Sequence, residues 1–298
     1  MDKTQKNNVE LNPYKEYNVK IVINSYIIFR RILMSIETLT GSCNDIFLAS
    51  NCCHDDGRTC SCYDCLEEDY YSRGDSYNCR KKLCYYTMNY GPAYASEIYH
   101  YLSASQLLER QFNGRNIRVL SLGCGFSPDA YALDRYIDDN YLDITFDYTG
   151  YDMEINWNGL REDYPNRDYE TRNLLNGFSL AGYDIVFMCK VFSTIMRNDM
   201  KNGTALLNIL KYQVNQMSNG SYFIFNEVNH RDFGRDRFDS EINNLVSRYN
   251  KYYFPIENAF SRGYTPINDT GNVFEFPRNL AVYPKTYVNK SIIFEYRK

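Results

Sequence analysis

The residues best suited to chemistry in this chain form a short glycine loop at the end of an apolar run. The segment reads Val119-Leu120-Ser121-Leu122-Gly123-Cys124-Gly125-Phe126-Ser127-Pro128-Asp129. Glycines after a strand let the backbone approach a ligand closely, and Ser127, Pro128 and Asp129 are a helix start. Asp152 follows 27 residues after Gly125, at the end of Tyr148-Thr149-Gly150-Tyr151-Asp152. A carboxylate at a second strand end can accept hydrogen bonds from ribose hydroxyls, so loop and acid together describe a nucleoside-cofactor site. Taken alone, Gly-x-Gly is equally a plain tight turn. A dinucleotide fingerprint wants a third glycine where Pro128 stands, which disfavours a nicotinamide cofactor, and no Gly-Lys-Ser/Thr follows for a nucleotide-triphosphate loop.

A second constellation is made of cysteines. Of ten in the chain, eight lie between Cys43 and Cys84. Cys62-x2-Cys65 and Cys79-x4-Cys84, with 13 residues between the pairs, have spacings that suit a closed tetrahedral thiolate site, structural zinc above all. Cys60 leaves the register open, Cys52, Cys53 and His54 are alternative ligands, and iron–sulfur ligation is the competing assignment. Cys43 is expected to have no part in it. The expected metal ligands are therefore Cys60, Cys62, Cys65, Cys79 and Cys84, as thiolates rather than disulfides.

A third set lies in two later loops, Cys189-Lys190-Val191-Phe192-Ser193 and Asn226-Glu227-Val228-Asn229-His230-Arg231-Asp232. Glu227 and His230 are the candidate general bases, with strand capping as the competing role. Cys189 has no preceding proline of the kind that marks a cytosine-attacking nucleophile, and no Asp/Asn-Pro-Pro-Tyr motif follows the fourth strand.

The elements that must position these groups alternate. Arg118–Leu122, Asp147–Tyr151, Tyr183–Met188 and Ser221–Asn226 read as strands; Asp129–Tyr136, Trp157–Asp163 and Met200–Met217 read as helices between them. Strand–helix alternation predicts right-handed crossovers and a mostly parallel sheet. Upstream, Asn18–Leu39 reads as an amphipathic helix ended by Gly41-Ser42, and Tyr94–Leu108 as another. Asn279–Pro284 and Ser291–Arg297 read as a terminal hairpin. The division expected is 1–110, a helical and cysteine-rich cap, and 111–298, the sheet domain.

Composition narrows the rest. With 33 basic against 37 acidic side chains the net charge is −4, and each side of residue 100 carries −2 (11 against 13, then 22 against 24). No generic nucleic-acid binding is expected from that balance. The most apolar early run, Ile21 to Phe29, is far shorter than the ~20 residues a membrane span needs. The first eight residues lack the apolar core of a secretory signal, so a cytoplasmic protein with no membrane partner is expected.

On Leu120 to Gly125, Asp129, Tyr148/Gly150/Asp152 and Trp157, residues 118–298 resemble the class I S-adenosylmethionine-dependent methyltransferases. The resemblance implies an α/β, Rossmann-like, mostly parallel seven-stranded sheet with an antiparallel C-terminal hairpin. It implies S-adenosyl-L-methionine as cofactor, held by Leu122, Gly123, Cys124, Gly125, Asp129, Asp152, Met153, Asn173, Leu174, Cys189 and Lys190. Many members carry an acid two residues before the first glycine. This chain has Ser121 there, and Asp129 is the candidate to take over part of that role. The methyl acceptor is left open among a small molecule, RNA and protein; a methyltransferase-like binding protein without turnover is the alternative.

Overall fold

The computed structural model describes residues 35–50, 62–66, 79–161, 163–230, 234–255, 263–288 and 290–298. The chain divides into residues 1–35 and a second compact unit, Ile36–Lys298, which holds the sheet and all the helices named here.

The core of that unit is one eight-stranded sheet. Its strands are β1 (Arg115–Leu122), β2 (Ile144–Asp152), β3 (Arg167–Thr171), β4 (Ile185–Cys189), β5 (Tyr222–Val228), β6 (Arg248–Tyr253), β7 (Thr265–Pro266) and β8 (Ser291–Arg297), in the order β3-β2-β1-β4-β5-β8-β6-β7. The first five run parallel, and β8 inserts antiparallel between β5 and β6. Order reverses between β1 and β4, and the carboxyl ends of strands at such a reversal are where open α/β sheets generally bind ligands.

Strand alternation builds a core on both faces. Ile117, Val119, Ile185, Phe187 and Ile224 turn to one side, where Ile98, Tyr101, Leu102, Ala132 and Leu133 meet them. Leu120, Leu122, Val186, Met188, Phe223 and Phe225 turn to the other, against Leu206, Leu207, Leu210 and Phe238. A strand buried on both faces has no polar alternation, as expected for a central parallel sheet.

The helices are α1 (Ile36–Ala49), α2 (Arg80–Ser105), α3 (Leu107–Gln111), α4 (Pro128–Asp139), α5 (Phe192–Asn198), α6 (Met200–Asn215) and α7 (Arg235–Ile242). Four expectations need correction. The expected Asn18–Leu39 helix lies outside the described residues up to residue 34; beyond it, α1 runs straight through Gly41-Ser42. A helical glycine costs about 1 kcal/mol, while Ile36, Leu39 and Cys43 are buried in their packing with α2, so burial wins. α2 starts at Arg80 rather than near Tyr94 and carries Pro92 inside it. Trp157–Asp163 makes only a 3-10 turn, Ile155–Gly159. Asn279–Pro284 forms no strand: β8 takes β5 and β6 as its partners, which also makes eight strands rather than seven.

A buried polar contact ties α2 to β8. Tyr101 Oη donates to Glu295 Oε2 at 2.7 Å, and Asn250 Nδ2 donates to Glu295 Oε1 at 2.8 Å. Among the described residues no helix is long and apolar enough to cross a membrane.

Tyr101→Phe removes one donor from a buried carboxylate. We expect a loss of about 1–3 kcal/mol in urea unfolding, without change in far-UV circular dichroism.

Candidate functional site

The glycine loop leaves β1 at the order reversal. Gly123 and Gly125 both have left-handed backbones, φ +67° and +52°, and Ser127 adopts +65°. Space is as strict as backbone at Gly123: a Cβ there would lie 2.4 Å from Val191 Cγ2 in the loop after β4. The Gly123 and Cys124 N–H groups donate to the Tyr151 carbonyl at 2.7 and 3.0 Å, so the loop is clipped to the end of β2.

Asp152 completes the clip. Its Oδ2 accepts from the Gly125 N–H at 2.8 Å and its Oδ1 from the Glu154 N–H at 2.9 Å. Each carboxylate oxygen accepts two hydrogen bonds, so capacity remains for two more donors. Burial raises its pKa above the usual carboxylate value; the two N–H groups and Arg161 pull it back down. Met153 beside it is exposed.

Arg161, which the motif reading missed, holds the loop from the other side. Its Nε donates to the Gly125 carbonyl at 2.6 Å, and its guanidinium stacks 4.5 Å from the Tyr169 ring. Trp157 lies against Gly125, where an added Cβ would touch the indole at 3.8 Å. An arginine in a polar loop carries no sequence signal of this kind. Cys124 is buried beneath the loop, and burial pushes its thiol well up, so it stays protonated.

Asp129 is fully buried in the first turn of α4. Tyr148 Oη donates to its Oδ1 at 3.1 Å, and among the described residues Oδ2 has no partner in hydrogen-bond geometry, though Ser121 and the Asp129 and Ala130 N–H groups act on the carboxyl. Burial raises its pKa, with Ser121 and Tyr148 opposing. Ser121 is itself buried, and its hydroxyl acts on the Asp129 carboxyl, so the serine in β1 and the acid in α4 are neighbours.

The remaining expected cofactor residues also gather at the carboxyl edge. Leu122 is buried at the end of β1. Asn173 follows β3, and its side chain accepts from the Leu175 N–H at 2.9 Å while Leu174 is buried. Cys189 ends β4, its thiol raised by burial. Lys190 adopts φ +60°, a left-handed backbone rare for a side-chain-bearing residue. Its Nζ donates to Glu97 Oε1 of α2 at 2.7 Å and to Ser291 Oγ of β8 at 2.8 Å.

The two candidate bases differ in setting. Glu227 is buried, accepting from the Ser193 N–H at 3.0 Å and the Val228 N–H at 3.2 Å, which caps α5; burial raises its pKa. His230 is exposed at the end of β5.

Among the described residues, the expected metal ligands do not converge. Among the described residues no three His, Cys, Asp or Glu side chains are placed to hold a metal ion. Cys60, with Cys52, Cys53 and His54, lies outside the described residues. Cys62 is buried, and Cys65 and Cys79 are half-buried. Cys84 points from the interior of α2 to Cys43 of α1, the cysteine expected to stand apart; their hydrogen bond, with burial, pushes the Cys43 thiol up. The cause is the early start of α2, which makes Cys84 a helix-packing residue rather than a loop ligand. The described residues do not fit a zinc site.

No known family profile matches the chain, and no curated protein matches it. Among solved structures it is similar to the N-methyltransferase NodS from Bradyrhizobium japonicum WM9 in complex with S-adenosylhomocysteine. That likeness has 9% identity and TM-score 0.41 over 67% of this chain and 87% of that one. The plantazolicin methyltransferase BpumL shows 14% identity and TM-score 0.44 over 88% and 99%. A SAM-dependent methyltransferase from Archaeoglobus fulgidus shows 12% and 0.41 over 79% and 99%. Identities and scores this low assign no activity or substrate.

The Asp129 carboxyl gives a pH test. A carboxyl raised on folding stabilises the fold fully below its unfolded pKa, and that contribution is lost as pH rises through the folded one. Asp129→Asn should therefore gain stability relative to the parent as pH goes from 4 to 8 in urea titrations. A constant difference across that range would contradict it.

Proposed function

We propose that the chain is an S-adenosylmethionine-dependent methyltransferase acting on an acceptor bound at the carboxyl edge of the sheet. The observation that carries this reading is the loop itself. Two left-handed glycines at the order reversal are clipped to β2 through an acid that keeps two unfilled acceptor sites. That arrangement suits a ribose on Asp152 and a close backbone approach at Gly123–Gly125.

Residues present also suit the cofactor's other parts. The Asp129 oxygen without a partner is a buried acceptor that an ammonium group would satisfy, and it offsets the serine at position 121. Leu174 offers an apolar contact for a base. When bound, the cofactor supplies an electrophilic methyl group on a sulfonium. The chain's own part is orientation: methyl transfer needs alignment of acceptor and methyl more than dedicated side chains. Lys190, paired with Glu97, fixes α2 against the β4 loop at that edge. His230 is the candidate to take the acceptor's proton; Glu227 holds the start of α5. No step is assigned to a metal.

A second reading is a binding protein that keeps the cofactor site without turnover. The capping role of Glu227 favours it.

Calorimetric titration with S-adenosylhomocysteine tests both. Micromolar binding to the parent is expected, at least about tenfold weaker in Asp152→Ala and in Asp129→Asn. Absence of binding by folded protein contradicts both readings; binding with no methyl transfer to small-molecule, RNA or protein acceptors favours the second.

A further inference from the structure

At the opposite end of the sheet from the glycine loop lies a cavity of about 200 Å³ lined by Arg115, Arg118 and Arg297, with Asp184, Gly182 and Gly220. Arg115 opens β1 and the glycine loop leaves its other end, eight residues or ~25 Å of strand later, with Arg118 on the strand between. The cavity is a separate place, and its chemistry is independent of the methyltransferase reading.

Three guanidinium groups face one carboxylate here, in a chain whose net charge is −4. That carboxylate is already committed. Asp184 Oδ1 accepts from Arg115 Nη2 at 2.9 Å, and Oδ2 accepts from the Arg118 backbone N–H at 2.8 Å. Arg118 and Arg297 carry no side-chain ion pair among the described residues, leaving two positive charges unmatched. Such like charges repel unless an anion is brought between them.

Each guanidinium is also seated. Arg115 lies 5.2 Å from the Phe112 ring and Arg297 5.6 Å from the Tyr222 ring. Arg118 lies over Gly182, where an added Cβ would meet its guanidinium nitrogens at 3.2 and 3.3 Å, and φ +84° there favours glycine. Planar groups held on flat surfaces lose little freedom when they bind, and their paired donors match tetrahedral oxyanions. The lining is mostly polar, so it favours a small charged group over an apolar ligand.

We propose that this cavity binds a doubly charged phosphate group, with Arg118 and Arg297 as its two free forks and Arg115, fixed by Asp184, as the third wall. A free phosphate and the phosphate of a nucleotide present the same chemistry.

The test is calorimetric titration of the full chain with inorganic phosphate, inorganic pyrophosphate and uridine monophosphate, at constant ionic strength with sodium chloride as reference. One saturable site for phosphate or pyrophosphate is expected. Binding should weaken about tenfold in Arg118→Met and in Arg297→Met, each of which removes one charge-assisted contact. Thermal unfolding of the two variants, each beside the parent, should differ little without ligand. Uridine monophosphate binding no tighter than phosphate supports recognition of the phosphate alone; binding by uridine monophosphate with none by phosphate or pyrophosphate overturns it. Heats no different from chloride, or pyrophosphate affinity kept in the double variant Arg118→Met/Arg297→Met, also overturn it.

Discussion

The site hangs on a steric limit: nothing larger than hydrogen fits on residue 123. Val191, leaving β4, reaches to 2.4 Å of where a Cβ would sit. Because β1 and β4 are neighbours in the sheet, their exit loops compete for the same space at the order reversal. Glycine resolves the competition, and its left-handed backbone turns the next N–H groups toward β2. The hydrogen bonds from Gly123 and Cys124 to Tyr151, and from Gly125 to Asp152, then follow from strand register. The glycine and the acid are one mechanical unit, although 27 residues separate Gly125 from Asp152.

A second layer of contacts brings α2 to the same edge. The Lys190–Glu97 pair is almost wholly buried, with side-chain exposures of 10% and 2%, so removing either partner would strand a charge. Its value lies in placement. It joins the residue that follows β4 to the helix above and, through Ser291, to the first residue of β8. Together with Tyr101 on Glu295, it gives α2 two polar anchors beside its apolar packing. Buried acids on this edge, Asp129, Asp152 and Glu227, are all raised by burial, so the edge carries an electrostatic cost that the fold tolerates.

Much of this was legible in the sequence because the central strands are apolar on both faces and the loop uses residues with few other reasons to sit together. β4, β5 and the second half of β1 announce themselves that way, β2 by apolar–polar alternation, and α4 and α6 by helical periodicity. β3 and β6 do not: Arg167-Asp168-Tyr169-Glu170-Thr171 and Arg248-Tyr249-Asn250-Lys251 are polar runs, the first next to nothing beyond it in the sheet and the second largely exposed. Tertiary packing also overrode local signals. α1 passes Gly41-Ser42 and α2 passes Gly91-Pro92 because their apolar stripes continue beyond those residues. That same continuation takes Cys84 out of the loop where its spacing suggested a metal ligand. Arg161 left no trace, since its role comes from a carbonyl brought near by folding.

If the Gly123–Gly125 loop and Asp152 form one cofactor-binding unit, a ligand must engage them together. Amide hydrogen exchange with and without S-adenosylhomocysteine reads this segment by segment. Binding should slow exchange together at the amides of 123–130 and 152–154, and leave those of 182–184 and 218–221 unchanged. Protection confined to one of the two segments, or centred on the far end of the sheet, would contradict it.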